Sequence, residues 1–128
     1  MKEKFSKNKI KEYNPLALAF LGDSIHTLFV RDYIIREKNL TAGGYHLLAS
    51  RLCKAQTQSK VFDKLFERFT EEEKMIALQA RNHKSHVAKN ANVEDYKKAT
   101  ALEAVLGYLY LIGEEKRLEE ILKESIEE

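Results

Sequence analysis

The chain has 128 residues, of which 44% are hydrophobic and 33% are charged. This size and composition suit one globular domain and exclude an intrinsically disordered chain. A single cysteine, Cys53, excludes an internal disulfide, and no zinc-finger spacing is present. The net charge of +2 is nearly neutral, but the middle of the chain is basic and the C-terminal segment acidic, so a polyanion should meet the middle.

The first half of the chain is predicted to be helical. Asn14 and Pro15 are typical of a helix start, because Asn caps the first turn and Pro is favoured at its first position. A helix is therefore predicted over residues 15–37. A turn is predicted at residues 41–44. A helical stretch with at most one break follows over residues 45–69, where apolar residues recur at helical spacing.

The second half is also predicted to be helical, with helices over residues 70–80, 92–112 and 114–125. Thr70 and Glu73 form a capping box for the first, and Asn92 can cap the second. Residues 81–90 are polar and irregular. No strand alternation, repeat or linker is present, so we expect one all-α domain over residues 1–128.

No targeting segment or uncharged membrane-spanning stretch is apparent. We therefore expect a cytoplasmic protein that is not associated with a membrane.

Two acidic residues interrupt the two most apolar predicted helices. Asp23 is the only charged residue within residues 16–30, and Glu103 is the only one within residues 99–113. Ionised carboxylates on largely buried surfaces are costly unless they are paired, hydrogen-bonded or bound to a metal. No basic residue lies within one helical turn of either acid. The two acids are therefore candidates for sharing a divalent cation.

The residues beside Glu103 on its helix face are mostly small, which predicts open space near the carboxylate. They include Ala99, Thr100 and Gly107. Carboxylate oxygens suit Mg²⁺ or Mn²⁺, and such an ion activates a bound water and stabilises charge on a phosphoryl oxygen. Alternatively, each acid bonds to a hydroxyl or pairs with a distant basic residue. Composition alone leaves both interpretations open.

Four segments resemble the ribonuclease III family. The stretch NPLALAFLGDSIH, with its core FLGDS at residues 20–24, is similar to the signature segment of that family. The stretch ATALEAVLGYLY, at residues 99–110, resembles its second acidic motif. ARNHKSHVAKN at residues 80–90 and KAQTQSK at residues 54–60 resemble segments of the small Mini-III subgroup. The resemblance extends over residues 14–111.

The resemblance implies that Asp23 and Glu103 are catalytic carboxylates that bind Mg²⁺, for which Mn²⁺ can substitute. The full family pattern has two further acids, at positions that here hold Ala19 and Thr100. Mini-III proteins share this reduced set. We therefore expect one firmly held ion per site, with water or RNA phosphate supplying the other ligands.

The resemblance also implies an all-α, homodimeric catalytic domain that cleaves double-stranded RNA to 5′-phosphate and 3′-hydroxyl ends. No separate double-stranded-RNA-binding domain is expected within residues 1–128. The catalytic dimer would then hold the RNA through its phosphates and 2′-hydroxyls. The RNA-binding candidates lie in the polar segment and are Arg81, Asn82, Lys84, Ser85, His86, Lys89 and Asn90. Arg81 and Asn82 could instead fix the shape of that segment, and any single lysine could be an ordinary surface charge.

The predicted function is that of a metal-dependent endoribonuclease that matures the ends of the 23S ribosomal RNA precursor. The main alternative is a non-catalytic, helical module that binds double-stranded RNA. A third interpretation, an all-α nucleotide pyrophosphatase, lacks its usual clustered Glu-x-x-Glu ligands. Two further residues are assigned to packing: Cys53, and His26 as a hydrogen-bonded core histidine.

Overall fold

The computed structural model describes residues 2–83 and 92–126. Within these ranges the chain forms seven α-helices and no strand, in agreement with the all-α prediction. The helices are α1 (Lys7–Ile10), α2 (Pro15–Glu37), α3 (Ala42–Cys53), α4 (Ala55–Leu65), α5 (Glu71–Asn82), α6 (Val93–Leu111) and α7 (Glu115–Ile126). A short 3-10 turn, Phe66–Arg68, follows α4.

Several helices begin at the predicted caps. The Asn14 side chain accepts from the Leu16 amide at 2.8 Å, and the Asn92 side chain accepts from the Asp95 amide at 3.0 Å. Both bonds of the capping box between Thr70 and Glu73 are present. These caps satisfy amide groups that have no partner inside the helix. The starts of α2, α5 and α6 therefore follow from local sequence.

The predicted turn at residues 41–44 is wrong, because that segment is the first turn of α3. The Thr41 hydroxyl accepts from the Gly44 amide at 3.1 Å and acts as an N-cap. A threonine hydroxyl that accepts from a nearby backbone amide is found both at helix starts and in turns. The local sequence therefore did not distinguish the two structures. The single break expected in the next stretch occurs at Lys54, between α3 and α4. Helix α1 was not predicted.

Helix α6 is the centre of the fold. Its residues from Ala99 to Leu109 are buried except Glu103, which is partly exposed. Helices α2, α4 and α5 surround it, and α7 closes the core through Leu118, Ile121 and Leu122. A helix that is apolar on all sides is stable only when it is enclosed in this way. The one acid of this segment therefore lies at the edge of the core.

A buried ion pair fixes α7 to α5. The Arg117 guanidinium donates to both carboxylate oxygens of Glu73, at 2.9 and 3.0 Å, and to the carbonyl of Arg68 at 3.0 Å. Glu73 is only 2% exposed. Bonding to Glu73 raises the pKa of Arg117 above its ordinary value. Two parallel bonds of this type give a well-defined geometry as well as attraction.

No helix in residues 2–83 or 92–126 combines the length and the apolar character needed to cross a membrane.

Candidate metal centre

Two glycines bring α2 and α6 into backbone contact. A Cβ atom on Gly22 would lie 1.7 Å from the carbonyl oxygen of Glu103, and one on Gly107 would lie 2.0 Å from that of Leu18. No side chain fits at either point, so glycine is required for the backbones of the two helices to approach this closely. The backbone of α2 thus occupies the space beside Gly107. The open space predicted beside Glu103 on that side is therefore absent. The contact instead places Glu103 next to the helix turn that carries Asp23.

The carboxyl groups of Asp23 and Glu103 lie side by side. Burial, together with hydrogen bonding to the adjacent Asp23 and its charge, raises the pKa of Glu103 to about 8. Two carboxyl groups in contact resist being ionised together, so the neighbouring carboxylate adds to the effect of burial on the pKa of Glu103. Neither acid forms a salt bridge with a lysine or arginine in the part of the chain described. The structure therefore does not support the alternative in which each acid has its own basic partner.

A third polar side chain, Gln58, reaches the same site from α4. Gln58 is 3% exposed, and its Nε2 donates to the carbonyl of Cys53 at 2.8 Å. The amide also bonds to Glu103, which lowers the pKa of that carboxyl against the larger upward effect of burial. The Oε1 atom of Gln58 is buried and has no partner among the described residues. Sequence reasoning missed Gln58, although it had singled out the segment KAQTQSK that contains it.

The donor set fits a divalent cation of the magnesium type. A cation between two adjacent carboxylates would relieve the repulsion that contributes to the raised pKa of Glu103. Magnesium commonly takes one or two protein carboxylates and keeps several waters. The described residues contain no cluster of three or more His, Cys, Asp or Glu side chains that could hold a metal. Two carboxylates, completed by waters and substrate oxygens, therefore fit an ion of this type.

The two acids differ in their exposure. Glu103 is partly buried, as expected, but Asp23 is exposed. On the same helix, Phe20 is 84% exposed and Leu28 is 71% exposed. The sequence predicted burial because the whole helix is apolar, yet one of its faces is uncovered in the single chain.

His26 is buried, but it does not have the hydrogen bonds that were predicted for it. It is 1% exposed, and neither ring nitrogen has a partner among the described residues. Burial lowers its pKa to about 4, although the charge of Asp23 opposes this shift. The packing role assigned to Cys53 is consistent with its partly buried position, where burial raises the pKa of the thiol.

Of the RNA-binding candidates, only Arg81 and Asn82 lie within the described residues. Arg81, at the end of α5, pairs with Glu94 at the start of α6. Its Nη1 also donates to the Asn82 side chain at 3.5 Å. This pairing links the end of α5 to the start of α6 and favours the alternative in which Arg81 has a structural role. Five candidates lie outside the described residues: Lys84, Ser85, His86, Lys89 and Asn90.

Comparison with known proteins identifies the family of this chain. The Ribonuclease III domain family matches residues 16–114. The chain is 42% identical to a Mini-ribonuclease 3 of Clostridium tetani, over 94% of this chain and 82% of the relative. It is 40% identical to a Mini-ribonuclease 3 of Staphylococcus aureus, over 93% and 91% of the two chains. A crystal structure of a Fusobacterium nucleatum protein superimposes with a TM-score of 0.83 at 34% identity, over 92% of this chain and 94% of that one. The chain therefore belongs to the ribonuclease III family and, within it, to the Mini-ribonuclease 3 group.

Proposed function

We propose that Asp23 and Glu103 are the metal-binding catalytic pair of this endoribonuclease, which cleaves double-stranded RNA. One observation carries the assignment of the site: α2 and α6 bring these two carboxyl groups together without a lysine or arginine partner in the described chain. Divalent-metal dependence is a property of the ribonuclease III family. We assign Mg²⁺ as the physiological ion, with Mn²⁺ as a substitute.

The two carboxylates would act by holding a divalent ion in a fixed position. Glu103 must lose its proton before both carboxylates can serve as ligands, and the raised pKa of Glu103 makes this step dependent on pH. A bound divalent ion supplies an acidified water and stabilises charge on the phosphoryl oxygens. The close contact of α2 with α6 keeps the two ligands at a constant separation, so little reorganisation is needed during the reaction.

The uncovered face of α2 supports a homodimer. Phe20, Leu28 and Ile35 are 84%, 71% and 64% exposed, and they lie along one helix. Exposed apolar side chains in such a row are typical of a protein interface. A twofold pair would cover this face and place two sites in one assembly, one for each strand of an RNA duplex.

The proposed substrate is the precursor of 23S ribosomal RNA, cut in the duplex that joins its ends. The basic residues between α5 and α6 would contact the RNA backbone, because A-form RNA is recognised mainly by shape, phosphates and 2′-hydroxyls. We retain Lys84, Ser85, His86, Lys89 and Asn90 as contacts, and Arg81 and Asn82 as residues at the edge of that surface. The expected place of action is the cytoplasm.

The test compares wild type with Asp23→Asn and Glu103→Gln on duplex RNA and on a structured ribosomal precursor with Mg²⁺. Each variant keeps the size of its side chain but weakens the ligand. We expect cleavage to fall by more than about 100-fold, the upper range for changes at residues that only support a metal ligand. Gel analysis with end mapping measures the rate and the type of ends.

Asp32→Asn is the matched control, because Asp32 is an exposed acid on the same helix that pairs with Arg36 at 2.9 Å. It should cleave like wild type. Undiminished cleavage by the Asp23 and Glu103 variants would refute the assignment of the site. Metal-independent RNA binding by the wild type with no new ends would instead support the non-catalytic alternative.

A further inference from the structure

The end of α3 and the start of α4 lie near the proposed metal centre. Helix α4 begins at Ala55, and its N-cap residue Lys54 makes no side-chain capping bond. Burial raises the pKa of the Cys53 thiol, and the charges of Asp23 and Glu103 raise it as well, as expected for a junction near the two carboxylates. Gln58 lies one turn into α4 and is 3% exposed. A buried amide at this point needs a physical reason, because apolar residues pack at lower cost.

The orientation of the Gln58 amide is fixed by its neighbour. The carbonyl of Cys53 can only accept a hydrogen bond, so Nε2 of Gln58 must be the atom that faces it, at 2.8 Å. An amide nitrogen carries two protons, and the second is available to the carboxylate of Glu103, to which Gln58 also bonds. Gln58 thus connects the end of α3 to the acid on α6.

Satisfying the free carbonyl groups at the end of α3 does not by itself require a glutamine. A shorter side chain does this at a nearby carbonyl, because the Thr57 hydroxyl donates to the carbonyl of Arg51 at 2.6 Å. A hydroxyl at position 58 would lack the length and the second donor that reach Glu103. The amide also leaves its Oε1 buried without a partner in the described chain. Buried polar groups left partly unsatisfied are tolerated mainly where they serve a site.

We propose that Gln58 is a positioning residue for the metal centre: its amide, anchored on the Cys53 carbonyl, orients the Glu103 carboxylate toward the ion. This inference rests on the proposed function and adds a residue that acts through Glu103. Side chains that orient a metal ligand in this manner change metal affinity by roughly 10- to 100-fold when they are replaced.

The test measures Mn²⁺ binding to the full chain without RNA, by electron paramagnetic resonance of the free ion. Gln58→Met keeps an unbranched side chain but removes the amide, and we expect Mn²⁺ to bind about tenfold more weakly. Gln56→Met is the matched control, because Gln56 is an exposed glutamine of the same helix. It should bind Mn²⁺ like wild type. Thermal unfolding in EDTA separates a loss of folding from a loss of metal affinity.

A measurement on the wild type keeps the proposal testable even if Gln58→Met does not fold. In a nitrogen-15 NMR spectrum, the side-chain amide of Gln58 should shift on addition of Mg²⁺, while that of Gln56 stays in place. A stationary Gln58 amide, with the backbone signals of Asp23 and Glu103 moving, would overturn the proposal.

Two patterns of result distinguish a failure of this inference from a failure of the proposed function. If the Asp23 and Glu103 variants lose Mn²⁺ binding and cleavage but Gln58→Met binds Mn²⁺ like wild type, only the role of Gln58 is wrong. If the Asp23 and Glu103 variants bind Mn²⁺ and cleave normally, the assignment of the metal centre falls, and the role of Gln58 falls with it.

Discussion

At the scale of single residues, His26 shows how burial beside the site affects stability. The folded protein holds its imidazole neutral, because burial lowers the pKa from 6.5 to about 4. In the unfolded chain the same group takes up a proton below its ordinary pKa. Between these two values the unfolded state binds more protons than the folded state, so the free energy of unfolding rises with pH. The contribution of His26 is complete above about pH 6.5 and is lost as the pH falls toward 4.

We therefore predict that His26→Phe lessens acid destabilisation. The wild type should lose stability between pH 6.5 and pH 4 more steeply than this variant, which cannot take up the proton. Urea unfolding at a series of pH values measures the slope. His46→Phe is the control, because His46 is exposed and its replacement should leave the slope unchanged. Equal slopes for wild type and His26→Phe would contradict the role of burial.

At the scale of secondary-structure elements, the contact of α2 with α6 determines the site. The two contact points pair Gly22 with the backbone of Glu103, and Gly107 with the backbone of Leu18. The obstruction at each point is main chain, which cannot swing aside as a flexible side chain can. A methyl group would therefore have to push the helices apart and separate the acids that they carry.

Gly22→Ala and Gly107→Ala should each destabilise the protein by at least about 1–3 kcal/mol, the range for overpacked cores. Metal-dependent cleavage should fall as well. Gly43→Ala is the matched control within α3, where an added Cβ meets nothing within 4 Å. It should stabilise the chain by up to about 1 kcal/mol, because alanine favours the helix. Denaturant midpoints measure all three, and an unchanged midpoint for Gly22→Ala would argue against the tight contact.

At the scale of the whole molecule, one surface of the folded chain is incomplete. The exposed apolar row of α2 begins beside Asp23, so this apolar surface and the proposed metal centre adjoin each other. A second copy placed on this row would remove apolar area from water, which is the main driving force for association. It would also limit access of water to the exposed side of Asp23.

We predict that Leu28→Lys converts a dimer to a monomer, because a buried ammonium without a partner is costly. Sedimentation at the concentration used for cleavage measures the change, and cleavage of both strands should decline together with dimerisation. Met75→Lys is the control, since Met75 is 51% exposed and lies on a different helix, α5. A wild type that sediments as a monomer while cleaving RNA would show that the dimer is not required.

Much of the fold could be predicted from local sequence. Asn14, Thr70 and Asn92 cap helices as predicted, because a cap depends on a few neighbouring residues and their amides. The turn assigned to residues 41–44 was wrong for a local reason as well, since Thr41 has the chemistry of either structure. The solitary positions of Asp23 and Glu103 were visible in the sequence, and the resemblance to ribonuclease III assigned them a common role.

Tertiary structure alone decided how these residues meet. The backbone contact at Gly22 and Gly107, the arrival of Gln58 from a third helix and the exposure of Asp23 all depend on which helix faces which. Helical periodicity identifies an apolar face but does not name the surface that covers it. From the sequence alone, Gln58 likewise cannot be distinguished from a surface glutamine, because only the packing shows that its amide is buried. The sequence by itself thus determined most of the helices and the two acids, whereas packing determined how the acids meet, the raised pKa of Glu103 and the glutamine beside it.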